Sequence, residues 1–430
     1  MSIHTNIENR KLFIYQVYVR SHTQEGTFKA FNKDLDRIQD LGVDMVYFMP
    51  IHPIGQKRKK GPLGCPYSIQ DYRKINPEYG TLEDFKTTVN EIHQRGMTVM
   101  IDVVYNHTSH DSVLLEQHPE WFMHDEKGQL TSKEPGWSDV QDFDYQAGGE
   151  ALVRELIDTL LFWIDQGVDG FRFDVGSFLP MDFLQQMELE VRAKNPNIVL
   201  LSESVHGGYC RHMRSRGFQV LSESEIYQAF DMAYDYDIQP FFEAYLNGEG
   251  TLNRYLEELL RQDEIYPQNY IKMRNLENHD FGRFAMYVKE DSVKIDNWTA
   301  FVFFARGSVM MYAGEECSDD HKPSLFEKED VNWSGRNISD LVKALVPIKK
   351  MDAVAYGALR IYPQSKDVIV MSYKHQQETI VGIFNVGNET GDISLNIADG
   401  TYQNLLADDS IIVSNKQLTL TKKPRIFKIK

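Results

Sequence analysis

Cysteine is scarce: Cys65, Cys210 and Cys317 are the three in 430 residues, an odd number set far apart. They offer neither a disulfide framework nor a metal-ligand spacing, and such usage fits a reducing compartment. Long apolar runs are missing as well. Nothing approaches the roughly 18 residues a membrane span needs. The opening stretch Met1 to Arg10 has no apolar core of the kind a secretory leader carries. The expectation is therefore a cytoplasmic protein with no membrane partner. Positive charge is short too. Lys and Arg number 46 against 63 Asp and Glu, a net charge of -17. That balance argues against nucleic acid or an anionic membrane surface as partner. The one basic run, Lys57-Arg58-Lys59-Lys60, lies in a Gly/Pro-bounded loop and reads as solvated. No segment is of low complexity.

What is present is an ordinary globular composition, 42% hydrophobic and 25% charged, long enough for one large domain and a small one. A unit recurs along the first half: a helical period, a glycine, then a short β-rich run. Phe28 to Leu41 has the helical period, Gly42 caps it and Met45 to Met49 reads as a strand. Leu82 to Arg95, Gly96 and Thr98 to Val104 repeat the unit. So do Ala151 to Gln166, Gly167 and Gly170 to Asp174. With Leu12 to Val19 as a first strand, this is the signature of parallel βα units. Further strands are predicted at Ile198 to Ser202, Phe230 to Tyr234, Ile271 to Leu276 and Val309 to Ala313. Helices are predicted near Pro180–Lys194, Leu252–Arg261, Lys294–Phe304 and Asp340–Lys350. Eight such units close into a (β/α)8, or TIM, barrel. Residues 1–106 and 150–350 are assigned to it.

Two stretches depart from the pattern. From 107 to 149 there is little periodicity but much His, Asp, Gly and Trp. A loop this long is a functional feature or a small subdomain, and it leaves from the C-terminal end of strand three, over the barrel mouth. Trp121, Phe122 and Trp137 within it read as that loop's own small core, with sugar stacking as the alternative. From 351 to 430, short β-rich runs alternate with turn residues such as Gly387-Asn388 and Asp399-Gly400. That reads as a C-terminal antiparallel β-sandwich.

Chemistry-bearing residues gather just after the strands. In Gly170-Phe171-Arg172-Phe173-Asp174 the alternation of a strand sends Arg172 and Asp174 to one side. A charged pair is costly in a closed core but acceptable where a barrel opens to a ligand. On this stretch alone, a nucleophilic Asp174 kept ionised by Arg172 and a buried structural ion pair are both open. Strand three leads into Asp102, Asn106 and His107, strand five into Glu203, and strand seven into His279 and Asp280. Carboxylates arriving at one opening after strands four, five and seven favour catalysis over isolated structural roles.

With these motifs in order, the chain resembles the α-amylase family of retaining glycoside hydrolases from residue 12 to the end, and within it small bacterial intracellular-type α-amylases. Asp102 to His107, Gly170 to Asp174, Glu203 after its apolar strand, and Asn278-His279-Asp280 fit the family's four short motifs. Gly42 through Pro50, Asp142-Phe143-Asp144 and Gly307 through Glu315 fit subsidiary ones. The resemblance implies that Asp174 attacks the anomeric carbon, that Glu203 is the acid and then the base, and that Asp280 stabilises the distorted ring. It implies that Arg172 depresses the Asp174 pKa. It also implies that His107 and His279 bond sugar hydroxyls, that Tyr67 stacks under the ring, and that Asp102 holds the geometry. The family retains configuration, which calls for carboxyl groups about 5–5.5 Å apart.

Many relatives follow the nucleophile motif with a Lys-His pair; here Ser177 and Phe178 stand there. Asn106 and Asp144 match positions that supply calcium ligands in the family, with a backbone carbonyl near Phe178 as a further candidate. Calcium takes six to eight oxygens, so a direct Asn–Asp link without metal is the alternative. The resemblance implies action on α-1,4-linked glucose in starch-derived maltodextrins, with no organic cofactor. Two rivals stay open: a transglycosylase of the same chemistry, such as a glucanotransferase or a sucrose- or trehalose-active enzyme, and a non-catalytic binding or scaffold homologue.

Overall fold

In a computed structural model, which describes residues 4–429, eight parallel strands close on themselves. In chain order they are Phe13–Val17, Met45–Phe48, Thr98–Val103, Gly170–Phe173, Val199–Ser202, Met232–Tyr234, Ile271–Arg274 and Ser308–Tyr312. Each pairs with its chain neighbours, and the eighth returns to the first, Phe13 opposite Val309. Every predicted barrel strand is present, most of them a residue or two shorter. Gly42, Gly96 and Gly167 take φ of +87°, +76° and +93°, the left-handed region that ends a helix and favours glycine. The predicted Phe28 to Leu41 helix is broken. Helices Phe28–Phe31 and Leu35–Asp40 flank a 3-10 turn at Asn32–Asp34, where the Asp34 carboxylate is drawn off to His22 (2.7 Å) and Arg37.

Alternation explains how the barrel is filled. Ile14, Met45, Met100, Leu201, Met232, Ile271, Met273 and Met310 form a buried cluster inside it. The register pairs Met100 with Gly170 and, two residues on, Asp102 with Arg172. The same inward line thus runs from an apolar plug to a charged layer at the strands' C-terminal ends. Gly170 is required by close approach, since a Cβ there would lie 3.0 Å from the Val199 carbonyl and 3.1 Å from the Met100 methyl.

The 107–149 stretch leaves strand three as expected and folds on itself. His107–Ser109 pairs antiparallel with Val140–Asp142 around a short helix, Val113–Gln117. Trp121 and Phe122 are buried in its core. At the C-terminal end, Ala358–Ile361, Ile369–His375, Glu378–Phe384 and Arg425–Ile429 make a four-stranded antiparallel sheet. One of its faces packs on two-stranded ladders through Val370, Val381, Ile411 and Leu418. The other packs on the barrel, with Phe384 against Phe301 and Phe304. The strand Gly400–Gln403 was not read from sequence because its residues are almost all exposed and carry no alternation. Among the described residues, no helix is long and apolar enough to cross a membrane.

Candidate active site

One guanidinium organises the mouth. Arg172 is fully buried, and its Nη1 donates to Asp102 Oδ1 (2.8 Å) and Asp174 Oδ1 (2.9 Å). Its Nη2 lies 3.0 Å from Glu203 Oε2, an ion pair off the hydrogen-bond axis. The proper hydrogen bond of Glu203 comes from the Val175 backbone N–H, at 2.8 Å. That amide is aimed by an unusual turn: Val175 has φ 42° and ψ 42°. A β-branched residue in the left-handed region costs about 1–3 kcal/mol, a strain characteristic of functional sites. The chain therefore bends sharply just beyond Asp174 and points its next N–H at Glu203.

Beneath them, hydroxyls fix the floor. Tyr47 and Tyr67 both donate to Asp102 Oδ2, at 2.7 and 2.8 Å. Having given its proton to Asp102, the Tyr67 oxygen accepts from His279 Nε2 at 2.6 Å. His279 Nδ1 then accepts from Gln16 Nε2 at 2.9 Å. This assignment satisfies all four contacts with a neutral imidazole, and burial holds the His279 pKa well below the ordinary histidine value. Tyr67 was expected under the sugar ring; here its own ring stacks on His279, centroids 5.2 Å apart, while it still lines the cavity.

His107 sits on the inserted ladder with Nε2 3.9 Å from Asp174 Oδ2. Burial brings its pKa down to about 4. Asp280 is 42% exposed, but to the cavity it lines. Asp174, Glu203, Asp280, Tyr67, His107 and His279 all border one cavity of about 260 Å³, with Arg172 and Asp102 in the layer below.

Burial, with Glu203, Asp102 and Asp280, raises the Asp174 pKa well above the usual carboxylate range, while Arg172 pulls it down as expected without offsetting them. Burial likewise pushes Asp102 up to about 6 and raises Asp280. Four carboxyl groups crowd one guanidinium, which opposes full ionisation of the cluster.

Trp137, read as part of the loop's own core with sugar stacking as the alternative, borders the cavity and tilts against His107, centroids 5.5 Å apart. Other lining residues were not read from sequence. The basic run is not wholly solvated: Lys60 lines the wall and pairs with Asp139 at 2.9 Å. Leu325 and Phe326 close another side. Gln16 and Tyr47 had a visible signal, polar atoms on the inward positions of apolar strands. Ser177 turns inward to the backbone, its Oγ accepting from Val205 N–H at 3.1 Å, and Phe178 packs with Cys210 and Met213.

The two candidate calcium ligands are otherwise engaged. Asn106 Oδ1 accepts from Lys133 Nζ at 2.6 Å. Asp144 Oδ1 caps the helix Tyr145–Asp165 by accepting from the Gln146 and Ala147 N–H groups, each at 3.0 Å. Among the described residues there is no group of three His, Cys, Asp or Glu that could hold a metal ion. These residues do not make a calcium cage, because a cation of the chain already occupies the oxygen that would face it.

Residues 13–337 match the family described as alpha amylase, catalytic domain. The chain belongs to the α-amylase family. Residues 360–427 match the bacterial alpha amylase C-terminal domain. An α-amylase from Lactobacillus plantarum superposes with a TM-score of 0.95 at 41% identity, covering 99% of this chain and 100% of that one. A noncanonic maltogenic α-amylase from Thermotoga neapolitana gives 0.86 at 30% identity, covering 98% and 99%. An α-1,4-glucan:maltose-1-phosphate maltosyltransferase of Myxococcus xanthus is 26% identical over 388 residues, 83% of this chain and 56% of that protein. The chain thus spans little more than half the length of that curated relative. Asp174, Glu203 and Asp280, the carboxyls that the sequence motifs single out, meet at the barrel mouth in this chain.

Proposed function

We propose that this α-amylase-family protein is a retaining glycosidase that cleaves α-1,4-glucosidic bonds of maltodextrins. The observation that carries it is the single guanidinium of Arg172 in contact with both Asp174 and Glu203 on the floor of a sugar-sized cavity. Asp174 attacks the anomeric carbon, and the bond to the leaving oxygen breaks as Glu203 protonates that oxygen. This leaves a glycosyl ester on Asp174 and a carboxylate at Glu203. Glu203 then takes a proton from water, which attacks the same carbon, releases Asp174 and restores the starting configuration. The first step needs Asp174 ionised, a state its contact with the Arg172 guanidinium favours, and a proton on Glu203. His107, neutral and with Nε2–H turned to the cavity, donates to a hydroxyl of the attacked sugar, while His279, whose Nε2–H is held by Tyr67, borders the same cavity. Asp280 faces the developing positive charge of the ring. The maltogenic enzyme and the amylase among the similar structures support an α-glucan substrate.

A product time course on soluble starch, maltotriose, pullulan, sucrose and trehalose tests this reading, with the anomer of the first product read by NMR. Maltose and glucose released as α-anomers are expected. Longer products from maltotriose would identify a transferase, β-anomers would overturn retention, and no turnover of any α-glucoside would favour a binding role.

A further inference from the structure

The cation beside Asn106 comes from the inserted loop itself. The Lys133 backbone N–H donates to Asp142 Oδ2 at 2.9 Å, and its ammonium lies 3.8 Å from the same oxygen. The ammonium also lies 5.6 Å from the centre of the Phe178 ring, on the segment that follows the nucleophile strand. Its side chain is 13% exposed. One amine therefore ties together the exit of strand three, the inserted loop and the turn after strand four, the junction where the family resemblance places calcium. The contact also settles the orientation of a neighbouring amide. An ammonium can only donate, so it faces the Asn106 oxygen. The Asn106 nitrogen is thereby left facing His107 Nδ1, at 3.1 Å. An amide nitrogen also only donates, so Nδ1 accepts and the imidazole proton sits on Nε2, the atom nearest Asp174.

We propose that Lys133 is a built-in cation standing in for calcium at the loop–barrel junction, and that through Asn106 it holds His107 in the tautomer that presents Nε2–H to the sugar. Lys133 is thus a positioning residue. It touches no substrate, and it does covalently what a bound ion would do reversibly. The second half of the proposal rests on the glycosidase reading above; the first half does not.

Three measurements on the full-length protein test it. First, the melting temperature of the wild type is compared in EDTA and in millimolar calcium chloride. No difference is expected, and a rise with calcium or a fall with EDTA overturns the stand-in role. Second, selective 15N-histidine labelling reads the His107 tautomer. A proton on Nε2 is expected, and one on Nδ1 overturns the relay. Third, K133M is compared with D142N, which loosens the loop while leaving the amine on Asn106. Both should melt lower. K133M alone should lose about 10–100-fold in kcat/KM, the scale of an outer-layer orienting contact, with the loss in kcat rather than KM. Equal activity losses at equal melting temperature would reduce Lys133 to a structural tie. The first two arms use no turnover and stand even if K133M does not fold, so their failure is distinct from failure of the glycosidase reading.

Discussion

Two buried ionic clusters lie on opposite sides of the barrel wall. At the mouth, Asp102, Asp174, Glu203 and Asp280 surround Arg172, and all of these acids but Asp102 border a cavity of about 260 Å³. Behind the wall, on the outward positions of strand seven, Lys272 and Arg274 meet Glu223, Asp235 and Asp237. Lys272 Nζ donates to Glu223, to Asp237 Oδ1 at 2.8 Å and to the Tyr234 carbonyl at 3.3 Å. Arg274 donates to Asp235 at 2.6 Å and to Gln262 at 2.8 Å. The free space beside that cluster is only about 10 Å³, enough for one water at most. Both clusters shift pKa values strongly, and burial pushes Asp237 up to about 7. A perturbed carboxyl is therefore not the mark of the site. Both clusters hold more acids than bases, so opening onto space for a ligand is that mark.

Substitutions on the two sides should fail in different currencies. Glu203→Gln should lower kcat by about 10²–10⁴-fold, the range of general acid–base catalysis, with little change in urea denaturation. A turnover close to wild type would end the assignment. Lys272→Met should leave Glu223 and Asp237 without their cation and destabilise the fold by about 3–5 kcal/mol. The kcat of the molecules still folded should be nearly unchanged, as active-site titration against denaturant would show. If K272M lost activity without losing stability, the two clusters would not be separate.

A third substitution has a smaller effect and reads the acid side. His52 is fully buried between the Lys74 carbonyl (3.2 Å) and the aromatic rings of Tyr72 and Trp163, and burial lowers its pKa to about 4, against upward pulls from the Lys74 carbonyl and then Asp71. The unfolded chain protonates this histidine below about 6.5 while the folded one does not until about 4. Stability is thus lost as pH falls through that window, by at most roughly 3 kcal/mol. Asp102, raised to about 6, works in the opposite sense, since its contribution improves as pH falls from about 6 towards 4. His52→Gln should flatten the fall in melting temperature between those pH values, and an unchanged slope would remove His52 from the acid limb.

Much of the mouth was legible in the sequence because it is local. Arg172 lies near the end of strand four with Asp174 just beyond it, Asp102 lies near the end of strand three, and His107, His279 and Asp280 each follow a strand, so alternation and strand ends locate them. What was not legible is what the chain brings from afar without a period. Gln16 reaches His279 across 263 residues. Lys60 meets Asp139, and Lys133 meets Asn106, from loops with no repeating pattern. The Lys272 cluster shows the limit from the other side. Its charged residues also lie along and just after strands, and only the outward register of Lys272 and Arg274 sets them apart from the mouth.

The backward kink at Val175 has a mechanical consequence. Its amide is fastened to Glu203 while the residue before it is Asp174, so one rigid joint carries both partners of the proposed reaction. The gauge between Asp174 and Glu203 is machined into the backbone rather than adjusted by the sugar. A substrate must arrive already matched to that span, and stiffness at a single peptide unit becomes a form of selection.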